Sequence, residues 1–202
     1  MNTPVLYSFV RCPYAMRARM ACIVTKFSVE LREVNLKNKP RAMLLASAKG
    51  TVPVLIMPNG RVIDESADIV SELLTSANID CQDNHQLVDS LHSMFIPALR
   101  CYKYPERHPN TNAKDVQQSL FAFLQQLESS LENRSTIFPW TYTDIMIAPF
   151  VRQCYKVNID TFNEWSFHNV QQWLHEIIQH NAFIKHMIKH PAWDESTPPA
   201  IL

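Results

Sequence analysis

Apolar and polar positions follow one rhythm near the N-terminus and another over the rest of the chain. Val5, Tyr7 and Phe9 alternate with Leu6 and Ser8, which predicts a short strand. From Pro13 to about Lys26 the pattern turns helical, rich in Ala, Met and Arg. Pro13 suits the first helical position, where its missing N–H costs nothing. "VELREVN" (Val29–Asn35) predicts a second strand. A strand, helix and strand of these lengths make a βαβ unit with a parallel pair. "PRAMLLASA" predicts a short helix, and "VPVLIM" and "RVI" flank Pro58-Asn59-Gly60, a strong hairpin signal. In "ESADIVSELLT", Ile69, Val70, Leu73 and Leu74 stand at helical spacing.

Residues 77–84, "ANIDCQDN", are polar and break the periodicity, which places a linker there. Beyond it, "HQLVDSLHSMFIPALRCY", "DVQQSLFAFLQQLESSLEN", "TDIMIAPFVRQCYKV" and "HNVQQWLHEIIQH" repeat apolar residues at i, i+3 and i+4. The expectation is a mixed α/β domain of thioredoxin-like order over 1–76, a linker over 77–84 and an all-α domain over 85–202.

Composition narrows the functional classes. Of 202 residues, 47% are hydrophobic and 19% charged, as in a soluble globular protein. Formal net charge is zero, which argues against bulk attraction to nucleic acid or an anionic membrane. The zero divides unevenly: residues 1–76 carry ten Lys+Arg against six Asp+Glu, and 77–202 carry nine against thirteen. A basic first part fits a small anionic ligand, and ordinary scatter fits as well. With only Gly50 and Gly60, a glycine-rich phosphate loop is excluded. Five spread cysteines form neither a zinc pattern nor a dense disulfide framework. No secretory signal and no run long enough to span a bilayer stand out, so a reducing cytoplasm is expected. The eight histidines are scattered, and no metal site is expected.

Three short stretches carry candidate chemistry. In "RCPYA", Cys12 stands where a helix begins, beside unpaired N–H groups and the positive end of the helix dipole. Such settings lower a cysteine pKa to roughly 3.5–7.5, and Arg11, Arg17 or Arg19 could add positive potential. Cys12 reads equally as a nucleophile or a small buried thiol. Ala15 replaces the second cysteine of a C-x-x-C pair, so a mixed disulfide on Cys12 would need an outside thiol to resolve it. Cys22 lies too far along the helix to substitute and reads as core. In "GTVPVL", a cis Val52–Pro53 bond would turn the Val52 backbone outward, toward the end of the first helix; a plain edge-strand proline is the alternative. In "DESADIV", Ser66 can cap a helix, and Glu65 and Ser66 could instead receive the ammonium and carboxylate of a ligand.

In order and spacing these stretches resemble the glutathione transferase superfamily over nearly the whole chain, and "RCPYA" resembles the one-cysteine site of its omega class. "NLKNKP", "TVPVL" and "ESADI" are similar to omega-like and related bacterial sequences in register. "TYTDIMIAPFVRQ" resembles the family's capping box, with Thr141 and Asp144 in its key positions. The resemblance implies a thioredoxin-like domain, a helical domain, glutathione bound between them and a homodimer. It implies that Cys12 forms a mixed disulfide with glutathione and that Val52, beside cis-Pro53, pairs with the cysteinyl part. Glu65 and Ser66 would hold the γ-glutamyl end, Lys39 the glycyl carboxylate, and Tyr14 would stand near the thiol. Tyr7 and Ser8, on the strand, do not sit at the helix start as Cys12 does, and Tyr7 alternates as a core residue.

The implied activity is a cytosolic glutathione-dependent thiol transferase or reductase acting on a small-molecule or protein thiol. One rival is conjugation of glutathione to electrophiles, with Tyr7, Ser8 or backbone N–H groups steadying the thiolate. Another is a non-catalytic partner protein of the kind seen in bacterial stringent-starvation regulators that bind RNA polymerase. Phe95, Tyr102, Tyr104, Phe150 and Trp165 could line an acceptor pocket, with helix-bundle core the preferred reading for most of them.

Overall fold

The structure, a computed structural model, describes residues 3–81, 84–134 and 136–202. The chain divides into two units. One comprises Met1–Cys81 with His180–Leu202, the other Gln82–Gln179. Positions 82 and 83 of the expected linker lie outside the described residues.

The first unit is built on a sheet of five strands, in the order Val62–Ile63, Val54–Ile56, Val5–Ser8, Glu30–Glu33 and Ala200–Ile201. Strand β1 (Val5–Ser8) and β2 (Glu30–Glu33) run parallel, joined by helix α1 (Pro13–Thr25). Strand β3 (Val54–Ile56) lies antiparallel to β1 and forms a hairpin with β4 (Val62–Ile63). The hairpin turns at Gly60, whose φ of +84° suits a residue without Cβ. Helix α2 (Arg41–Ala46) precedes β3, and α3 (Ser66–Ser76) closes the order expected from the sequence. Helix α3 turns Ile69, Val70, Leu73 and Leu74 inward and packs on α1. Helix α1 ends where Lys26 adopts the left-handed conformation and its N–H caps the last turn.

One element departs from the sequence reading. The last residues, expected within the helical domain, form β5 (Ala200–Ile201), antiparallel to β2. Leu202 N–H donates to Val29 at 3.0 Å and Trp193 N–H to the Glu33 carbonyl at 2.8 Å. The tail thus covers β2, which the sequence order alone leaves as an exposed edge. The Trp193 indole stands edge-on to the Tyr7 ring, 6.0 Å between centroids, and the Arg32 guanidinium lies 4.1 Å over it.

The second unit is helical. Helices α4 (His85–Ser90) and α5 (Ile96–Lys103) are joined by a π-helical turn at Leu91–Phe95. They are followed by α6 (Ala113–Leu131), α7 (Tyr142–Tyr155), α8 (Ile159–Glu164) and α9 (His168–Gln179). Phe95, Phe150 and Trp165 are buried in this core, where Phe95 lies tilted against Phe123, and Trp165 meets Phe121 edge to face and Phe162 at a tilt. A short α10 (Asn181–His186) returns to the first unit and packs on α1.

Helix α7 begins with the expected capping box. Asp144 N–H donates to Thr141 Oγ1, and Thr141 N–H donates to Asp144 Oδ2 at 2.8 Å. The same carboxylate receives both guanidinium nitrogens of Arg134 and the indole N–H of Trp173. Among the described residues, no helix is long and apolar enough to cross a membrane.

Candidate functional site

Cys12 is the N-cap of α1, with extended φ and ψ of −82° and 121°. Its carbonyl accepts the first helical bond, from Met16 N–H at 2.9 Å, and its own N–H donates to the Phe9 carbonyl at 2.9 Å. With Pro13 next, the thiol is fixed at the mouth of the helix rather than within it. The Val52–Pro53 peptide is cis, and the Val52 carbonyl oxygen lies 3.9 Å from Cys12 Sγ. Ala15, in the second C-x-x-C position, is fully buried. Cys22 is buried as well, and loss of solvent pushes its thiol up to about 12, against a smaller opposing pull from Arg19. It belongs to the core, as its spacing predicts.

The start of α3 differs from expectation. Ser66 is the first residue of the helix, not its cap; the N-cap is Glu65, which makes no side-chain capping bond. Ser66 is buried, and its Oγ accepts from Arg17 at 3.4 Å. Arg17 also stands 5.5 Å over the ring of half-buried Tyr14, so the starts of α1 and α3 are joined through this one arginine. The Glu65 carboxylate points outward and takes Lys49 Nζ at 2.6 Å; Lys49 also reaches Asp64 at 3.0 Å. Hydrogen bonds from Ser47 and then Lys49 hold the Asp64 carboxyl below its usual range. Lys39 is exposed, and its ammonium lies beside Gly50, within 3.6 Å of where a Cβ would stand. Lys39 and Glu65 therefore border one turn, 47–50, which runs into the cis-proline segment. Cys12 meets that segment at Val52.

The other candidates on the strand are occupied. Tyr7 is fully buried, and its hydroxyl accepts from Arg32 at 2.7 Å. Ser8 is also fully buried, and its Oγ accepts from Arg19 Nε at 2.9 Å. Neither hydroxyl is available to a ligand thiolate in this arrangement. Arg19 is bound inside the fold rather than offering potential to the thiol: its guanidinium pairs with Glu33 and donates to the His186 carbonyl.

Sequence reasoning missed Glu33. It lies 5% exposed, its Oε1 accepts Val10 N–H at 2.8 Å and its Oε2 meets Arg19. A charge in a short strand carries no local mark of burial, and this one is internal because Arg19 of α1 and the turn before α1 close over its side chain. Among the described residues, no group of three or more His, Cys, Asp or Glu side chains is placed to hold a metal ion.

Residues 6–79 match the family described as glutathione S-transferase, N-terminal domain. Glutathione S-transferase omega-1 of Rattus norvegicus is 30% identical over 149 residues, covering 66% of this chain. The chain spans 58% of that protein's length. The fold is similar to that of glutathione transferase Omega 1C from Trametes versicolor, with a TM-score of 0.75 at 17% identity over 92% of this chain and 91% of that one. It is also similar to a glutathione transferase from Pseudomonas putida that has one glutathione disulfide bound per subunit. There the TM-score is 0.72 at 18% identity, over 92% of this chain and 90% of that one.

Proposed function

We propose that the chain is a member of the glutathione S-transferase superfamily, as its matched N-terminal domain and its omega-1 relative support, and that it is a glutathione-dependent thiol transferase or reductase acting through a mixed disulfide on Cys12. The observation that carries the reading is the placement of the Cys12 thiol at the N-cap of α1 with a buried alanine where a resolving cysteine would stand. Backbone N–H groups and the helix dipole favour thiolate there.

Cys12 thiolate attacks the glutathione sulfur of a mixed disulfide between glutathione and a substrate thiol. The Cys12–glutathione S–S bond forms, the old S–S bond breaks, and the electron pair leaves with the substrate thiolate. A glutathione thiolate then attacks the glutathione sulfur of that adduct. Glutathione disulfide leaves and Cys12 thiolate is restored. The Pseudomonas relative binds a disulfide of this kind.

Glutathione would lie along the cis-proline segment. Its cysteinyl backbone pairs with Val52, next to Pro53, which sets its sulfur beside Cys12. Its γ-glutamyl ammonium meets Glu65, in competition with Lys49, and its carboxylate meets the N–H groups and Ser66 hydroxyl at the start of α3. Lys39 takes the glycyl carboxylate, and Tyr14 flanks the thiol. The burial of Tyr7 and Ser8, each engaged by an arginine, argues against conjugation chemistry built on either hydroxyl. The proposal includes a homodimer in a reducing cytoplasm, where thiols persist.

The test is a mass measurement after treatment with glutathione disulfide, paired with turnover of a glutathione mixed disulfide. A single adduct on Cys12, lost together with turnover in Cys12→Ser, is expected. Full turnover in Cys12→Ser would sink the mechanism.

A further inference from the structure

A cavity of about 670 Å³ opens beyond the carboxyl ends of the parallel strands β1 and β2. That is ample for a small organic molecule, and such strand ends are where open α/β sheets receive ligands. Its walls are the turn 9–11 just before Cys12, residues 33–37 at the end of β2, and the tail segment 189–192. None of Lys39, Val52, Glu65 or Ser66 lines it. In the sheet, β3 flanks β1 on one side and β2 on the other. The cis-proline segment thus approaches Cys12 from the β3 side, and this cavity lies on the β2 side.

All three walls meet at Glu33. Its Oε1 holds Val10 N–H of the first wall, and its backbone carbonyl holds Trp193 N–H at the end of the third. The cavity is therefore a built feature of the first unit. Its lining is basic over an apolar floor. Arg11, Lys37 and Lys189 contribute cations, with half-buried His190 beside them. Among the described residues, none of the three cations has a carboxylate within ion-pair distance. The single carboxylate in the lining, Glu33, is already committed to Arg19 and Val10. Phe9, Val34, Leu36 and Pro191 supply apolar surface, and Arg11 lies 5.1 Å over the Phe9 ring.

We propose that this cavity binds the second substrate and that it selects an organic anion with an apolar body, such as an aryl carboxylate. Three cations without partner carboxylates in one concave site raise the local concentration of anions and reject cations. The apolar floor separates such a ligand from inorganic anions. The role as second-substrate site rests on the glutathione reading above; the ligand class rests on the lining alone.

The experiment uses the full chain without glutathione and measures binding of 2-naphthoate and of its neutral counterpart 2-naphthalenemethanol by calorimetry. Lys37→Glu with Lys189→Glu is the test variant, since both side chains are exposed and their exchange spares the core. The expected result is that naphthoate binds the native chain and weakens at least tenfold in the double variant, while the alcohol binds both equally. Equal naphthoate binding by the two proteins overturns the proposal, as does a matching loss for the alcohol. Competitive displacement of naphthoate by S-methylglutathione also overturns it, by assigning the cavity to glutathione. Because no thiol chemistry is read, absence of an adduct on Cys12 leaves a positive result standing. A normal adduct with charge-independent binding removes this inference alone.

Discussion

The Glu33 carboxylate accepts the backbone N–H of Val10 at 2.8 Å, two residues before Cys12. The other oxygen of that carboxylate pairs with Arg19, itself fully buried. Removing one partner leaves a buried charge unmatched, which costs about 3–5 kcal/mol, whereas replacing both by apolar side chains of similar size is often neutral. Glu33→Gln should therefore lower the melting temperature by roughly 6–20 °C, at about 2–4 °C per kcal/mol for a chain of this length. The pair Arg19→Met with Glu33→Leu should recover most of that loss. It also removes the acceptor for Val10, which the amide oxygen of Glu33→Gln keeps, so adduct formation at Cys12 should be slow in the double variant and not in the single one. A double variant that recovers stability and forms the adduct at the native rate would mean that Glu33 does not position the Cys12 turn.

Burial pushes the thiols of Cys22 and Cys154 from 9.0 up to about 12. In the unfolded chain these thiols give up their protons near pH 9, while the folded chain keeps them. The folded state then holds more protons, so stability is full below about pH 9 and falls as pH rises toward 12. Each thiol contributes a slope of up to about 1.4 kcal/mol per pH unit in that window. Urea titrations from pH 8 to 11 should show this fall, and Cys22→Ala with Cys154→Ala should flatten it. In the native chain at pH 8, iodoacetamide should reach the partly exposed Cys12, Cys81 and Cys101 and spare the buried pair. Peptide mapping reads the difference.

The periodicities that predicted β1, α1, β2, the hairpin and α3 reflect burial on one face of a regular element, and local sequence carries that signal. Strand β5 has no such signal, because two residues are too short to alternate. Its pairing depends on β2, which lies far away in sequence. Glu33 carries no local signal of burial either, because its partners, Arg19 and Val10 N–H, come from outside its strand. The site was legible where one residue suffices: Cys12 before Pro13, and the proline after Val52. It was less legible at α3, where "ESA" allows Glu65 or Ser66 to precede the helix. Backbone conformation decided for Glu65, and Arg17, 49 residues before Ser66 in the chain, claimed the serine.

Lys49 and Glu65 form an exposed pair, 48% and 62% accessible, and exposed pairs contribute little to stability. Lys49→Ala should therefore leave the melting temperature nearly unchanged. If Glu65 receives the ammonium of glutathione, the same substitution removes its competitor, and glutathione should bind as well as before or more tightly. Glu65→Ala should weaken binding about tenfold or more, the loss expected for one charge-assisted hydrogen bond of about 1.5–3 kcal/mol. Calorimetry with S-methylglutathione measures both. Equal affinity for native and Glu65→Ala chains would remove Glu65 from the site.

Asp144 gathers more donors than its capping role requires. It is 1% exposed and receives Thr141 N–H, two nitrogens of Arg134 and the indole N–H of Trp173. Each donor loses an acceptor when the carboxylate is removed, and the Arg134 charge loses its partner. Asp144→Ala should cost about 3–5 kcal/mol. Thr141→Ala, which removes only the hydroxyl half of the capping box, should cost about 1 kcal/mol. The two variants thus separate capping from anchoring. Urea unfolding followed by tryptophan fluorescence reads the helical unit, since Trp140, Trp165 and Trp173 all lie within it. If both variants cost about 1 kcal/mol, then Asp144 acts only as a cap, and its bonds to Arg134 and Trp173 add nothing to the fold.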